Sequence, residues 1–163
     1  MLSKLIYVTA LMAGAYAVDS PVNPSLNAQI KAAPNKLAEL DLVSDQYVFD
    51  FTKQKYYSYA PGGVVNANAA TFPAATGHGL TVAWLALGPC AMLPPHLHPR
   101  ATNFVVAVEG ETQTYMIQEN GAKVVTETLT PGKMTIFPQG SIHSMQNMGM
   151  NSGITHAITA SSC

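Results

Sequence analysis

The chain opens on an apolar run, residues 5–14, behind a short positive start that contains Lys4. The run ends at Ala15-Tyr16-Ala17, the small-x-small form of a signal-peptidase site, so residues 1–17 predict a secretion signal cleaved after Ala17. At about 12 residues such a run is too short to cross a bilayer. Residues 18–41 are rich in proline and small polar residues and predict an extended leader with one short helix, 35–40. From there the pattern changes. Residues 42–51 alternate, with Val43, Tyr47, Phe49 and Phe51 on one set of positions, and predict a strand. Pro61-Gly62-Gly63 predicts a turn, and the Ala-, Asn- and Gly-rich stretch 64–79 predicts a loop. Residues 80–87 form a continuous apolar strand that stops at Gly88-Pro89.

Beyond that point short β-prone runs follow one another closely. They cover 103–108, 112–117, 123–129, 134–137, 142–147 and 154–159. The second and third are joined by Glu119-Asn120-Gly121, and Asn-Gly between β-prone runs is a strong hairpin signal. Many short strands with close turn signals predict one antiparallel all-β sandwich or barrel over residues 42–163. There is no internal repeat and no interdomain linker.

Composition narrows the function classes. Of 163 residues only 10% are charged, against roughly 25% in an average soluble protein, while 48% are hydrophobic. That balance supports a sizeable core and excludes a disordered chain. The net charge of −1 comes from 8 basic and 9 acidic residues with no basic run, which gives no footprint for nucleic acid or an acidic membrane. After residue 17 no segment is long enough to span a membrane. Asn23 is followed by Pro24, so no N-glycosylation sequon is present. Two cysteines, Cys90 and Cys163, exclude a disulfide-dense scaffold and a zinc ribbon. In an oxidising compartment they form either a disulfide or two separate thiols, and the sequence leaves both open.

The chemistry-bearing residues lie in two places. In His96-Leu97-His98, positions i and i+2 of an extended chain share a face and can bind one metal ion. Pro94, Pro95 and Pro99 stiffen the backbone around them. Alone, such a pair is a weak signal, because exposed His-x-His pairs occur by chance. The second place runs from Gly132 to His143 and brings a third imidazole after a Pro-x-Gly turn. His78, in a Gly-His-Gly loop, reads as a surface residue. His156, alternating with core positions, reads as a satisfied core or rim histidine. Met145, Met148 and Met150 follow His143; as soft ligands they would suit copper, and as flexible side chains they would fill a core.

These two elements resemble the paired motifs of the cupin superfamily, and more closely those of germin-like and spherulin-like secreted proteins. The first motif has Gly, five residues, His-x-His, three or four residues, Glu, six residues, Gly. Here Cys90, His96, His98, Asn103 and Gly110 stand at those positions. The second has Gly, five residues, Pro-x-Gly, two residues, His, three residues, Asn, and Gly132, Pro138, Gly140, His143 and Asn147 fit it throughout. The stretches 94–102 and 137–143 look germin-like almost letter for letter.

The resemblance implies a single jelly-roll β-barrel of cupin type. His96, His98 and His143 would lie inside it among apolar residues such as Val105, Phe137 and Ile142. In the family three histidines and the Glu hold a divalent metal, usually manganese, and the implied activities are oxalate oxidase and superoxide dismutase. Asn103 in place of Glu removes the hard anionic ligand, which moves preference toward copper or zinc. It also favours an alternative, a non-catalytic cell-wall, storage or spore-coat protein. No Asp or Glu lies between Phe51 and Val108, so a replacement carboxylate would come from Asp45 or Asp50; Glu109 and Glu111 belong at the strand end beside Gly110. The partners implied are a small molecule and, through C-terminal helices that in relatives follow the equivalent of Ser161-Ser162, other copies of the chain. This chain stops at Cys163.

Overall fold

The structure, a computed structural model, describes residues 19–58, 62–149 and 155–162. The expected signal segment 1–17, Pro61, Met150 and Cys163 lie outside the described residues.

Helix α1, Pro24–Ala32, occupies most of the stretch that the prolines predicted to be extended. Pro24 stands in the first turn, where a proline has no hydrogen bond to lose, and Asn23 accepts from the Leu26 amide at 3.1 Å as N-cap. Helix α2, Lys36–Leu42, is the short helix expected near 35–40; Asn35 caps it by accepting from the Ala38 amide at 3.0 Å. Leu26 and Ile30 of α1 pack with Val43 and Ala74 in a small core, with Leu42 and Phe72 against it.

The strand expected over 42–51 does not form. After α2 the chain turns, runs irregularly and closes a short 3-10 turn at Phe51–Lys53, where Asp50 accepts from the Thr52 amide at 3.0 Å. Its alternating apolar residues serve an aromatic cluster instead. Phe49 meets Phe51 and Phe72 at ring-centroid distances of 4.9 and 5.6 Å, and Phe51 lies 6.4 Å from Trp84. Residues read as turn and loop supply a strand: β1, Gly62–Ala67, pairs antiparallel with β2, Leu80–Leu87. Its Ala, Asn and Gly content hid it, although Val65 and Ala67 alternate as buried positions on the sheet's outer face, opposite Trp84 and Val82.

Apart from Met92–His96, which the apolar pattern does not mark as a strand, the remaining strands follow the sequence closely. They are β3 (Met92–His96), β4 (Asn103–Glu109), β5 (Thr112–Ile117), β6 (Val125–Leu129), β7 (Met134–Phe137), β8 (Ile142–Asn147) and β9 (Thr155–Ser162). They form two antiparallel sheets, β1-β2-β9-β4-β7 and β3-β8-β5-β6, which is the expected jelly-roll arrangement. Leu85, Leu87, Val105, Ala107, Phe137 and Ala157 of the first sheet meet Leu129 and Met145 of the second in one core. The β5–β6 hairpin turns at Gly121, whose φ of +84° is the left-handed conformation that Asn-Gly promised. Cys90, at the position where the motif carries Gly, has a φ of +58°, the one left-handed non-glycine among the described residues.

Candidate metal site

The site sits where β3, β4 and β8 converge at one end of the cavity between the sheets. Strand β3 is an edge strand, so Pro94 and Pro95 forfeit no ladder bonds there, and its register shifts between Leu93 and His96. That shift sets His96 opposite His143 of β8. His98 follows two residues later. The turn between β7 and β8 clips this segment in place: the Gly140 amide donates to the His98 carbonyl at 3.0 Å, and the Gln139 side chain donates to the Pro99 carbonyl at 2.9 Å. The two motifs are therefore one structural unit, with Gly140 at a φ of +78° forming the corner.

The ligand atoms of His96, His98 and His143 all lie within 4.8 Å of one another. His143 is buried and stacks on Phe137 at a centroid distance of 4.2 Å. Its Nδ1 faces the Ser141 carbonyl at 2.9 Å, and Nδ1 of His96 faces the Pro94 carbonyl at 2.8 Å. A carbonyl only accepts, so both Nδ1 atoms carry the proton and both Nε2 atoms carry a lone pair. Burial pushes the His143 pKa down to about 4, against the opposing pull of the Ser141 carbonyl, with smaller contributions from His96 and His98. Burial, and secondarily His96, also lowers His98. Both rings are neutral at pH 7, the state a metal ligand requires.

Asn103 opens β4 and is buried at 4% exposure, pinned between Phe137 of β7 and Ser161 of β9. Its Nδ2 lies 3.4 Å from Nε2 of His98. At that separation the amide N–H points at the ring nitrogen, so it is Nδ2 and not Oδ1 of Asn103 that faces His98. Oδ1 of Asn103 and Nε2 of His143 are buried without a hydrogen-bond partner. Orphaned buried acceptors are costly, and a divalent cation among the three imidazoles would satisfy Nε2 of His143. The three imidazoles thus fit a metal ion, and the amide of Asn103 would present Oδ1 to it only after turning over.

A cavity of about 510 Å³ opens from this cluster. Its apolar lining comes from Val64, Ala83, Leu85, Leu93 and Met145. Its polar lining adds Asp19, Tyr56, Asn66 and Thr159, none of which the sequence pattern singled out. Asp19 sits in the leader segment, and no local motif marks it.

Other expectations separate from the site. Ile142 is 48% exposed, because it neighbours His143 on β8 and adjacent strand residues face opposite ways. His78 is exposed beside a second, aromatic-lined cavity. His156 lies on the outer side of its sheet, with Nδ1 2.9 Å from Glu109 and its ring 5.0 Å from Trp84. Met145 is a core residue that also lines the cavity, and Met148 is exposed. Asp50 caps its own 3-10 turn, and neither Asp45 nor Asp50 reaches the cavity. Cys90 is exposed.

Fold and site define an antiparallel double-sheet barrel with three imidazoles and an amide gathered at one end of its cavity. The chain belongs to the cupin family, whose profile matches residues 51–162, and it is a germin- and spherulin-like member. It is 38% identical to Spherulin-1A of Physarum polycephalum over 132 residues, covering 79% of this chain and 54% of that protein. It is 31% identical to Germin-like protein 1-1 of Oryza sativa subsp. japonica, covering 87% of this chain and 68% of that protein. The chain thus spans about half the length of the spherulin it matches. Among solved structures, oxalate oxidase in complex with the substrate analogue glycolate superposes with a TM-score of 0.60 at 21% identity, covering 72% of this chain and 62% of that one; this likeness concerns the fold.

Proposed function

We propose that the protein is a secreted cupin that binds one divalent metal through His96, His98 and His143, with Asn103 as a weak fourth ligand, and acts on a small molecule at the open coordination positions. The observation that carries this reading is the convergence of three imidazoles whose ligand atoms lie within 4.8 Å of one another, with Nε2 of the buried His143 left without a hydrogen-bond partner. When bound, the metal supplies Lewis acidity and, if manganese or copper, one-electron chemistry. The chain's own residues hold and orient. Carbonyls of Pro94 and Ser141 fix two ring tautomers, Phe137 fixes one ring plane, and the apolar lining limits water. The Asn103 side-chain amide also offers N–H donors to a small bound anion.

The germin resemblance implies an oxidoreductase of the oxalate oxidase or superoxide dismutase type, and oxalate oxidase shares the fold. Manganese is the metal the family suggests, and copper or zinc are the metals that the charge-free donor set suits. Elemental analysis of the naturally secreted protein, with assays for peroxide release from oxalate and for superoxide consumption, tests the reading. One equivalent of a transition metal with either activity supports it; a metal-free protein whose His98→Ala variant is indistinguishable refutes it. Asn103 favours a second reading, a non-catalytic wall or spore-coat cupin with an altered site, for which metal would be present and both activities absent. Secretion rests on residues 1–17, and amino-terminal sequencing of extracellular protein should begin at Val18. No described helix is long and apolar enough to cross a membrane.

A further inference from the structure

The donor set around the candidate metal carries no charge, yet one carboxylate lines the same cavity. Among the described residues no lysine or arginine lines that cavity, and Asp19 is the single acidic residue that does. Asp19 is held in place. Its Oδ2 accepts from Nδ2 of Asn66 at 3.0 Å and from Nδ2 of Asn68 at 2.7 Å. Asn68 is itself fixed, because its Oδ1 accepts from the Ala70 amide at 2.8 Å and the Thr71 amide at 3.3 Å. The segment that carries Asp19 is strapped to the same loop twice more. The Val22 amide donates to the Ala70 carbonyl at 2.9 Å, and Asn27 donates to the Ala69 carbonyl at 2.6 Å and to Thr76 at 2.8 Å. No ion pair among the described residues involves Asp19; Lys55 shares an adjoining cleft with it, and cleavage after Ala17 would place the Val18 amino group one residue away, which lessens the carboxylate's field in the secreted protein without cancelling it on the cavity side.

We propose that Asp19 is the counter-charge of the metal centre: an outer-sphere carboxylate, delivered by the amino-terminal strap, that replaces in charge what Asn103 lacks on β4. This rests on the metal-site reading above. A carboxylate held at a low-charge cavity by two amide donors attracts a divalent cation without entering its coordination sphere. The same charge repels a dianion that approaches through the cavity. The site should therefore prefer a neutral or singly charged small ligand over a dicarboxylate.

Asp19→Asn isolates the charge, because the amide oxygen still accepts from Asn66 and Asn68. The test is calorimetric titration of metal-free secreted protein with manganese, copper and zinc, followed by titration of the metal-loaded protein with oxalate. The expected result is a drop of about tenfold in affinity for all three metals alike, lessened by added salt, and tighter oxalate binding. Asp19→Glu should recover the wild-type values. Unchanged metal affinities in Asp19→Asn, with wild type still binding metal, overturn the inference and leave the three-histidine reading intact. A thousandfold loss confined to manganese overturns it too, by making Asp19 a direct ligand. Wild type that binds none of the three metals removes the metal site and this inference together.

Discussion

Replacing Asn103 by Glu puts an anion where the structure holds a neutral amide, and its consequences can be worked through. The backbone at this position cannot retreat, since β4 is paired on both sides, to Phe137 and to Ser161. The longer side chain therefore points its carboxylate into the histidine cluster or its cavity. Against a divalent ion about 2.1 Å away, a full negative charge is attracted by roughly 16 kcal/mol at an effective dielectric of about 20. Desolvating the carboxylate takes back several kcal/mol, and the amide dipole it replaces takes back more. A net gain of about 3 kcal/mol for manganese corresponds to a rise of roughly 100-fold in affinity. Copper and zinc, already satisfied by imidazole, should gain about tenfold or less. In the metal-free protein the sign reverses. The new carboxylate is buried, unpaired and expensive, so the variant should unfold about 2 kcal/mol more easily than wild type and recover on adding manganese. The assay is competitive titration of wild type and Asn103→Glu with manganese against copper at pH 7, with denaturant melts of both metal-free proteins. Equal manganese-to-copper ratios in the two proteins would refute the reasoning and leave Asn103 a packing residue at the start of its strand.

His98→Ala should abolish binding of every divalent metal in the same titration, because two imidazoles and an amide make a poor site; retained binding would show that His98 is not a ligand. Metal-free protein should lose stability on acidification in a defined window. The His143 pKa is lowered to about 4, so its contribution is fully present above the unfolded value near 6.5 and is lost as pH falls toward 4. The loss amounts to about 3 kcal/mol, should be absent in His143→Gln, and is read from denaturant melts at pH 7, 5.5 and 4.5. Cys90→Gly should stabilise the fold by about 1 kcal/mol, raising Tm by roughly 3 °C, because glycine adopts the φ of +58° without strain. Cys90→Ala keeps the Cβ and should give no such gain.

How much of this was legible in the sequence depends on where each signal resides. Seven of the eight strands from Leu80 onward were legible as apolar or β-prone runs bounded by Gly, Pro or Asn-Gly turns; β3 was not, because Pro94 and Pro95 break its pattern. The three histidines were legible as a set because two motifs with fixed spacing carry them, and the Gly140 corner and the Gln139 clip make that spacing a physical requirement. What failed lies between residues 18 and 79, where local preference and tertiary role diverge. Pro24 looks like a breaker and acts as a helix starter. Phe49 and Phe51 alternate like strand residues and pack as an aromatic cluster. Val65 and Ala67 are too few to mark β1 without knowing that β2 waits beside them. Ile142 was placed inside by its neighbourhood in the motif, although strand parity puts it outside once His143 is inside.

The same divergence explains why the cavity's polar lining escaped sequence reasoning. A metal ligand must lie within about 2 Å of its ion, and that demand ties ligand residues to rigid strands at short, recognisable spacing. A charge acting across a cavity carries no such demand. It can arrive from any segment that ends up at the mouth, and Asp19 arrives from 84 residues before Asn103 along the chain, held by side-chain amides of Asn66 and Asn68. A substitution that neutralises the inner ligand therefore need not neutralise the site. Charge can be conserved around the cavity while the ligand position changes chemistry. In that case Asp19 and Asn103 are energetically linked through the ion: the penalty for losing Asp19 should shrink once position 103 carries Glu, because the ion is then already compensated.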